Sequence, residues 1–153
     1  MSDTHTATHA AGSRGRTPAS RLARLRISSL GAVIMLIIEF ILGIAYNLYG
    51  TAPTADKSIG LFSSPVLALH VVMSILLLVA AVMLLVRAIG ARHRLTIWMS
   101  ALGLAAIIAA GFAGLGFTRG GAAGASLGMS LAFAVSLACY VVIILASASP
   151  STT

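Results

Sequence analysis

The chain has 153 residues, of which 59% are hydrophobic and 8% charged, and its formal net charge is +7. Because a soluble domain carries about 25% charged residues, this composition excludes an ordinary water-soluble fold. The basic residues lie at the ends of apolar segments rather than on one folded face, which excludes a nucleic-acid-binding domain. We therefore expect an integral membrane protein.

A polar, arginine-containing tail precedes the first apolar segment. Residues 1–26 are rich in Ser, Thr, Ala and Gly, and we expect them to be disordered. The apolar run that follows has about 23 residues, whereas a secretory signal core has about 7 to 15, so it should remain as a membrane anchor. Residues 148–153 form a short tail at the other end of the chain.

Four apolar segments of about 22 residues predict four transmembrane helices, over residues 27–49, 65–86, 95–117 and 125–146. At about 1.5 Å per residue, each reaches about 33 Å and can cross a hydrocarbon core of about 30 Å. The predicted fold is all-α, a polytopic membrane protein whose four helices form one antiparallel bundle over residues 27–147.

The basic residues beside the spans predict the orientation. Eight lie on one side, namely the five arginines of the tail and Arg87, Arg92 and Arg94 between spans 2 and 3. The other side has only Lys57 and Arg119. Since Lys and Arg concentrate in cytoplasmic loops, both termini are predicted to be cytoplasmic.

The arginines also suggest a source and a partner. Nine arginines against one lysine indicate a GC-rich bacterial genome, and hence a bacterial plasma membrane. The cluster from Arg14 to Arg26 is expected to attract anionic lipid headgroups, at about 1 kcal/mol per residue.

Small residues at helical spacing predict where the spans pack. Such residues let helix backbones approach closely in lipid. The candidates are Gly43 in span 1, Gly111 and Gly114 in span 3, and Gly124, Gly128, Ala132 and Ser136 in span 4. The alternative is that Gly and Ala are simply frequent in this chain. If the stripes are contacts, they favour a compact bundle and a homo-oligomer or a complex with another membrane subunit.

Glu39 is an acidic residue near the middle of span 1. It lies about 15 Å below the outer end of that span. An acidic side chain there costs about 2.5 to 3.5 kcal/mol, but twelve Leu, Ile, Phe or Val residues of the span outweigh this cost. Glu39 should insert and face other helices rather than lipid.

Further polar residues are expected to join Glu39. Asn47 follows on the same helix face, and His70 and Ser74 lie on one face of span 2. If spans 1 and 2 pack together, these four side chains form a polar strip. Burial would favour neutral Glu39 and His70, and mutual contact would favour the charged pair, so the sequence leaves their state open. Each could also be a structural hydrogen-bonding residue.

A haem b site is one alternative for this strip. His70 is the only histidine inside a span, and Met129 lies at a similar depth in span 4. A His/Met pair on two helices could ligate haem iron. No other cofactor and no other metal site is predicted.

The spans contain no catalytic motif, and we expect no enzyme. Three functions remain open: an accessory or interaction subunit of the membrane, a haem-binding redox subunit using His70, and a proton- or cation-coupled carrier component using Glu39 and His70. With a single intramembrane acidic residue, a carrier would require oligomerisation.

Three short patterns occur within the spans: Glu39-Phe40-x-x-Gly43-x-x-x-Asn47-Leu48-Tyr49, Pro65-x-Leu67-x-Leu69-His70 and Gly111-Phe112-x-Gly114-x-x-Phe117. Together they resemble a group of uncharacterised four-span bacterial membrane proteins, common in actinobacteria. The resemblance covers residues 27–147 and implies a fold and a membrane location. The chain departs from that group at Glu39, where glutamine is more common, and at Ala113, where asparagine is more common.

Overall fold

Long helices make up most of the protein. A computed structural model describes residues 18–50, 59–120 and 123–148. Within these ranges the chain forms α1 (Pro18–Tyr49), α2 (Pro65–Ala91), α3 (Arg94–Gly120) and α4 (Ala123–Ala148), with no strand. Each of these helices is long and apolar enough to cross a bilayer. This confirms the prediction of an all-α chain with four such segments.

The first helix begins earlier than predicted. Residues 18–26 were expected in the disordered tail, but α1 already starts at Pro18. Proline suits the first helical position because its missing N–H has no partner there in any helix. Leu25 is 1% exposed, so the added turns also pack against the other helices. The rest of the tail (residues 1–17), the loop 51–58 and the end 149–153 lie outside the described residues.

The ends of α2 have clear local causes. The Ser64 side chain accepts a hydrogen bond from the Leu67 amide at 3.2 Å, and Pro65 occupies the first turn, as predicted. At the other end, Arg92 adopts a left-handed conformation (φ 57°) and donates its amide to the Ile89 carbonyl at 3.1 Å. This turn reverses the chain within two residues and leads directly into α3.

Each helix packs against two others. Contacts join α1 with α2, α2 with α3, α3 with α4, and α4 with α1, whereas the described residues of α1 and α3, and those of α2 and α4, do not meet. The α3–α4 contact is the most extensive. A space therefore lies in the middle, to which all four helices contribute.

Small residues bring α3 and α4 together, but only some of those predicted do so. A methyl group at Gly128 would lie 3.6 Å from the Ala113 Cβ, and one at Gly114 would lie 3.5 Å from the Met129 sulfur. At Gly111 and Gly124 a methyl group would meet nothing within 4 Å. Those two glycines therefore make no close contact with the described residues of this chain, and their role in packing stays a prediction.

Ser136 and Gly103 form the closest part of this contact. Ser136 is 1% exposed, and its hydroxyl lies within hydrogen-bonding distance of the carbonyls of Ala132 (2.9 Å) and Gly103 (3.3 Å). A methyl group at Gly103 would lie 2.6 Å from a ring carbon of Tyr140, a residue that is fully buried. Glycine is therefore required at this position of α3, a requirement that the sequence analysis did not assign.

The apolar core lies toward the end of the molecule that carries the α2–α3 turn, which we call the arginine end. Its buried members are Leu25, Ala32 and Leu36 of α1, Leu77, Ala81, Leu84 and Ala88 of α2, Ile107 of α3, and Cys139, Tyr140 and Ile143 of α4. At this end the Arg87 guanidinium also donates to the Ser28 hydroxyl. The opposite end, where α1 finishes and α2 begins, is less tightly filled.

The outward faces of the helices are apolar as well. Large side chains such as Ile27, Trp98 and Leu127 are each more than 60% exposed. Such surfaces would be unfavourable in water but match the hydrocarbon of a bilayer. The distribution of apolar surface therefore agrees with the membrane class that the composition predicted.

Candidate functional site

A cavity of about 530 Å³ occupies the space between the helices at the end opposite the arginine end. All four helices line it, mostly with Leu, Ile, Val, Phe and Gly. Its deeper boundary includes Leu77 and Ile107 of the apolar core. The cavity thus begins where the apolar core ends. The few polar side chains in its wall are the candidate functional residues.

Glu39, His70 and Ser74 form one polar cluster across α1 and α2. The His70 Nδ1 lies 3.3 Å from the Glu39 Oε1, and the Ser74 hydroxyl donates to that same carboxylate oxygen. Ser74 also lies one turn after His70, with its hydroxyl 3.0 Å from the His70 carbonyl. The structure therefore brings together three of the four residues of the predicted strip.

The two oxygens of Glu39 differ in their surroundings. Oε1 faces Ser74 and His70, whereas Oε2 is buried and has no hydrogen-bond partner among the described residues. The Glu39 side chain is 12% exposed and that of His70 is 26% exposed. Since a buried carboxylate oxygen normally has a partner, Oε2 is a position at which a proton or another group can be accepted.

The contact between Glu39 and His70 is close but not aligned as a hydrogen bond. Nδ1 lies within ion-pair distance of the carboxylate, yet it satisfies the geometry of a hydrogen bond with no described residue. Nε2 has no hydrogen-bond partner among those residues either. The two side chains therefore attract each other as an ion pair when Glu39 is ionised and His70 is protonated. Their interaction is weak when both groups are neutral.

Gly43 lies one turn after Glu39 and makes room for the histidine. A methyl group at Gly43 would lie 3.5 Å from the His70 Cε1, at ordinary contact distance. A larger side chain would occupy the position of the ring. Among the packing residues predicted from the sequence, Gly43 is thus the one that adjoins the polar cluster.

Asn47 and Met129 also line the cavity but stand apart from the cluster. Asn47 is exposed, and its side chain makes no hydrogen bond to a described residue. Met129 faces Gly114 across the α3–α4 contact. Within the described ranges no three His, Cys, Asp or Glu side chains are grouped as they would be to hold a metal ion.

An aromatic pair that the sequence did not reveal borders the cavity. The rings of Phe40 and Phe133 are stacked, with centroids 4.4 Å apart and planes inclined by 15°. Phe40 follows Glu39 directly in the sequence, but nothing marks Phe133 among the other apolar residues of α4. Only the α1–α4 contact shows that the two belong to one site. Tyr46 is buried and lines the same cavity.

Comparisons with known proteins give no relative to set beside this site. No family model, no curated protein and no solved structure matches the chain. The resemblance to four-span bacterial proteins stays a prediction from the sequence.

Proposed function

We propose that this protein is a proton- or cation-coupled carrier component of a bacterial plasma membrane, in which Glu39 and His70 exchange the coupling ion. The observation that carries the proposal is the partly buried contact between these two ionisable side chains on different helices. Ionisable groups inside a membrane are costly, and where they occur in pairs facing a cavity they commonly form proton or ion pathways. The protein would act without enzymatic machinery of its own.

The cluster has the parts that reversible proton binding requires. Glu39 offers one oxygen that accepts from Ser74 and a second oxygen without a described partner. His70 lies 3.3 Å from the first and can take or release a proton in response to the carboxyl group. Because the two groups are so close, the charge on one strongly affects the other.

The proposal includes the arrangement in the membrane. Four helices in succession, each packed against two others, favour an antiparallel four-helix bundle. The basic residues at the arginine end favour a cytoplasmic location for that end and for both termini. The cavity would then open toward the outer half of the bilayer.

One acidic residue within the spans of each chain is little for a complete transporter. We therefore propose that the carrier works as a homo-oligomer or together with another membrane subunit. The apolar outer faces of the helices offer ample surface for such contacts. The accessory or interaction subunit without a transport activity, which the sequence also allows, stays a separate prediction.

Infrared spectroscopy can test proton exchange at Glu39 directly. The chain has only three acidic side chains, so the C=O stretching band of a protonated carboxylic acid can be assigned with few variants. We expect a band that appears and disappears reversibly with pH, is absent in Glu39→Gln, and changes frequency in His70→Gln. The Asp56→Asn variant serves as a matched control and should keep the band. A carboxyl group that never exchanges its proton would contradict the proposal.

A haem-binding redox subunit is the second candidate, and one observation favours it. A carboxylate beside the second ring nitrogen is common for metal-bound histidines, and the Glu39 Oε1 lies 3.3 Å from the His70 Nδ1. The Nε2 atom is then the ligating position, and Met129 lines the same cavity as the second ligand of the predicted pair.

The visible absorption spectrum decides this second candidate. If His70 ligates haem, the protein purified in mild detergent will show a stoichiometric Soret band that sharpens on reduction with dithionite and is lost in His70→Ala. The His93→Ala variant, altered in the α2–α3 turn, should keep the band. A colourless protein after expression with added haem precursor would eliminate the redox function and leave the carrier.

A further inference from the structure

We propose that the cavity binds an amphiphilic organic cation, with its charged centre beside the Glu39 carboxylate and its apolar groups in the remaining space. The inference rests on the proposed carrier function, because it names the class of substrate that would be exchanged against the proton. It is nevertheless argued from the cavity itself, whose size, apolar lining and charge each restrict the occupant.

The size of the cavity fits a small organic molecule. Ligand sites in proteins typically have volumes of about 300 to 1,000 Å³ and a mostly apolar lining with a few polar groups. At about 530 Å³, this cavity lies within that range. A bare metal ion would leave most of the space empty and would find only one carboxylate, so the cavity favours an organic occupant.

The charge of the lining selects a cation. Among the described residues that line the cavity, Glu39 is the only acidic one, and none is a lysine or an arginine. An anion would therefore meet a carboxylate with no compensating positive group except a protonated His70. In surroundings of low polarity, interactions between charges are much stronger than in water, so this asymmetry discriminates sharply between the two signs.

The Glu39 carboxylate provides the point of attachment. Ser74 and His70 both approach its Oε1, and Glu39 is part of the cavity wall. A positively charged ligand group that reaches this carboxylate from the cavity would pair with it without displacing Ser74. The hydroxyl would continue to hold the carboxylate in position between the two helices.

Aromatic rings line the same space. Phe40 and Phe133 are stacked at the α1–α4 contact, and Phe112 and Phe117 of α3 also line the cavity. The faces of aromatic rings attract organic cations and contact apolar groups equally well. This lining suits a delocalised cation with aryl or alkyl groups better than a small hydrated ion, which would lose its water shell.

Binding of such a cation is coupled to a proton. The ligand pairs with an ionised carboxylate, so binding to protonated Glu39 must release one proton to the solvent. A protonated His70 at 3.3 Å would compete with the ligand for the same carboxylate. The cation and the proton therefore occupy the cluster alternately.

Two ions of the same shape and opposite charge test this inference. Tetraphenylphosphonium and tetraphenylborate are both measured by equilibrium dialysis against the full chain in lipid nanodiscs, with empty nanodiscs as the background. We expect saturable binding of tetraphenylphosphonium with proton release, and no saturable binding of tetraphenylborate. The Glu39→Gln variant should lose about tenfold or more in affinity, while His93→Gln, far from the cavity, binds as the unaltered protein does.

The results of this binding experiment can distinguish failure of the cation site from failure of the proposed carrier function. Equal binding of both ions, or full affinity in Glu39→Gln, would overturn the cation site even if Glu39 still titrates in the infrared experiment. Tight co-purification of a phospholipid that blocks both ions would also overturn it and would identify a lipid as the occupant. Conversely, cation binding without any exchange of the Glu39 proton would retain the site and remove the proton coupling.

Discussion

Replacing Glu39 by glutamine is expected to reduce proton flux through the protein to the rate of protein-free liposomes. Glutamine keeps the size of the side chain and can still interact with Ser74, but it can neither bind nor release the coupling proton. The measurement follows a pH-sensitive dye enclosed in proteoliposomes after an external pH step, with a potassium gradient and valinomycin to balance charge.

Matched variants make the flux result specific. His70→Gln should also lower the flux strongly, because it removes the second ionisable group of the cluster. His93→Gln makes the same change at an exposed position in the α2–α3 turn and should leave the flux unaltered. Sustained flux in Glu39→Gln, with the protein inserted and folded, would show that protons do not pass through this cluster.

Replacing Gly103 by alanine is expected to destabilise the protein by about 1 to 3 kcal/mol, the usual cost of overpacking a filled interior. The added methyl group would lie 2.6 Å from the Tyr140 ring, which is fully buried and cannot move toward lipid. Gly103→Leu should have a larger effect and separate α3 from α4. Unfolding followed by circular dichroism in mixed micelles provides the measurement.

The control for Gly103 lies in the same helix. A methyl group at Gly116 would meet nothing within 4 Å, and alanine favours a helix over glycine by about 0.5 to 1 kcal/mol. Gly116→Ala should therefore be neutral or stabilising, opposite in sign to Gly103→Ala. A Tyr140→Leu substitution that relieves the clash should partly rescue Gly103→Ala. Equal stability of the two alanine variants would show that Gly103 is not in tight contact.

Much of the fold was predictable because the membrane restricts the alternatives. Long apolar runs can satisfy their backbone hydrogen bonds only as helices, so hydropathy and length located all four segments. Pro65 marked the start of α2 for a separate local reason, since proline is tolerated in the first turn. The start of α1 was missed because its first two turns are polar enough to resemble a disordered tail.

The contacts between helices were harder to predict than the helices. Glycine and alanine occur on every face of α3 and α4, so spacing alone could not show that Gly103 meets Tyr140 while Gly111 and Gly124 face open space. Apolar residues surround each helix because the exterior is lipid-facing, and hydropathy therefore gives no inward direction. Only interhelical packing distinguishes these glycines.

Most residues of the polar cluster could be predicted from the sequence, but the relative height of the two helices that carry them could not. The polar faces of the two spans put Glu39 and His70 in one predicted strip, and the structure places them in contact. Asn47 lies on the same face of α1 but is exposed. Along the helix, Glu39 lies between Gly43 and the arginine end, whereas Asn47 lies on the other side of Gly43. The tilt and relative height of α1 and α2 decide this, and no sequence spacing encodes them directly.

The α1–α4 contact determines when the site can come into existence during biosynthesis. The other three contacts join helices that are neighbours in sequence, so they can form while the ribosome is still translating. The α1–α4 contact closes only when the last helix has left the translocon, and it supplies Phe133 to the cavity. Until then the cavity lacks the wall that α4 provides, although Glu39 can already contact His70 and Ser74 of α2. A nascent chain that ends before α4 would therefore have the polar cluster but not the closed cavity.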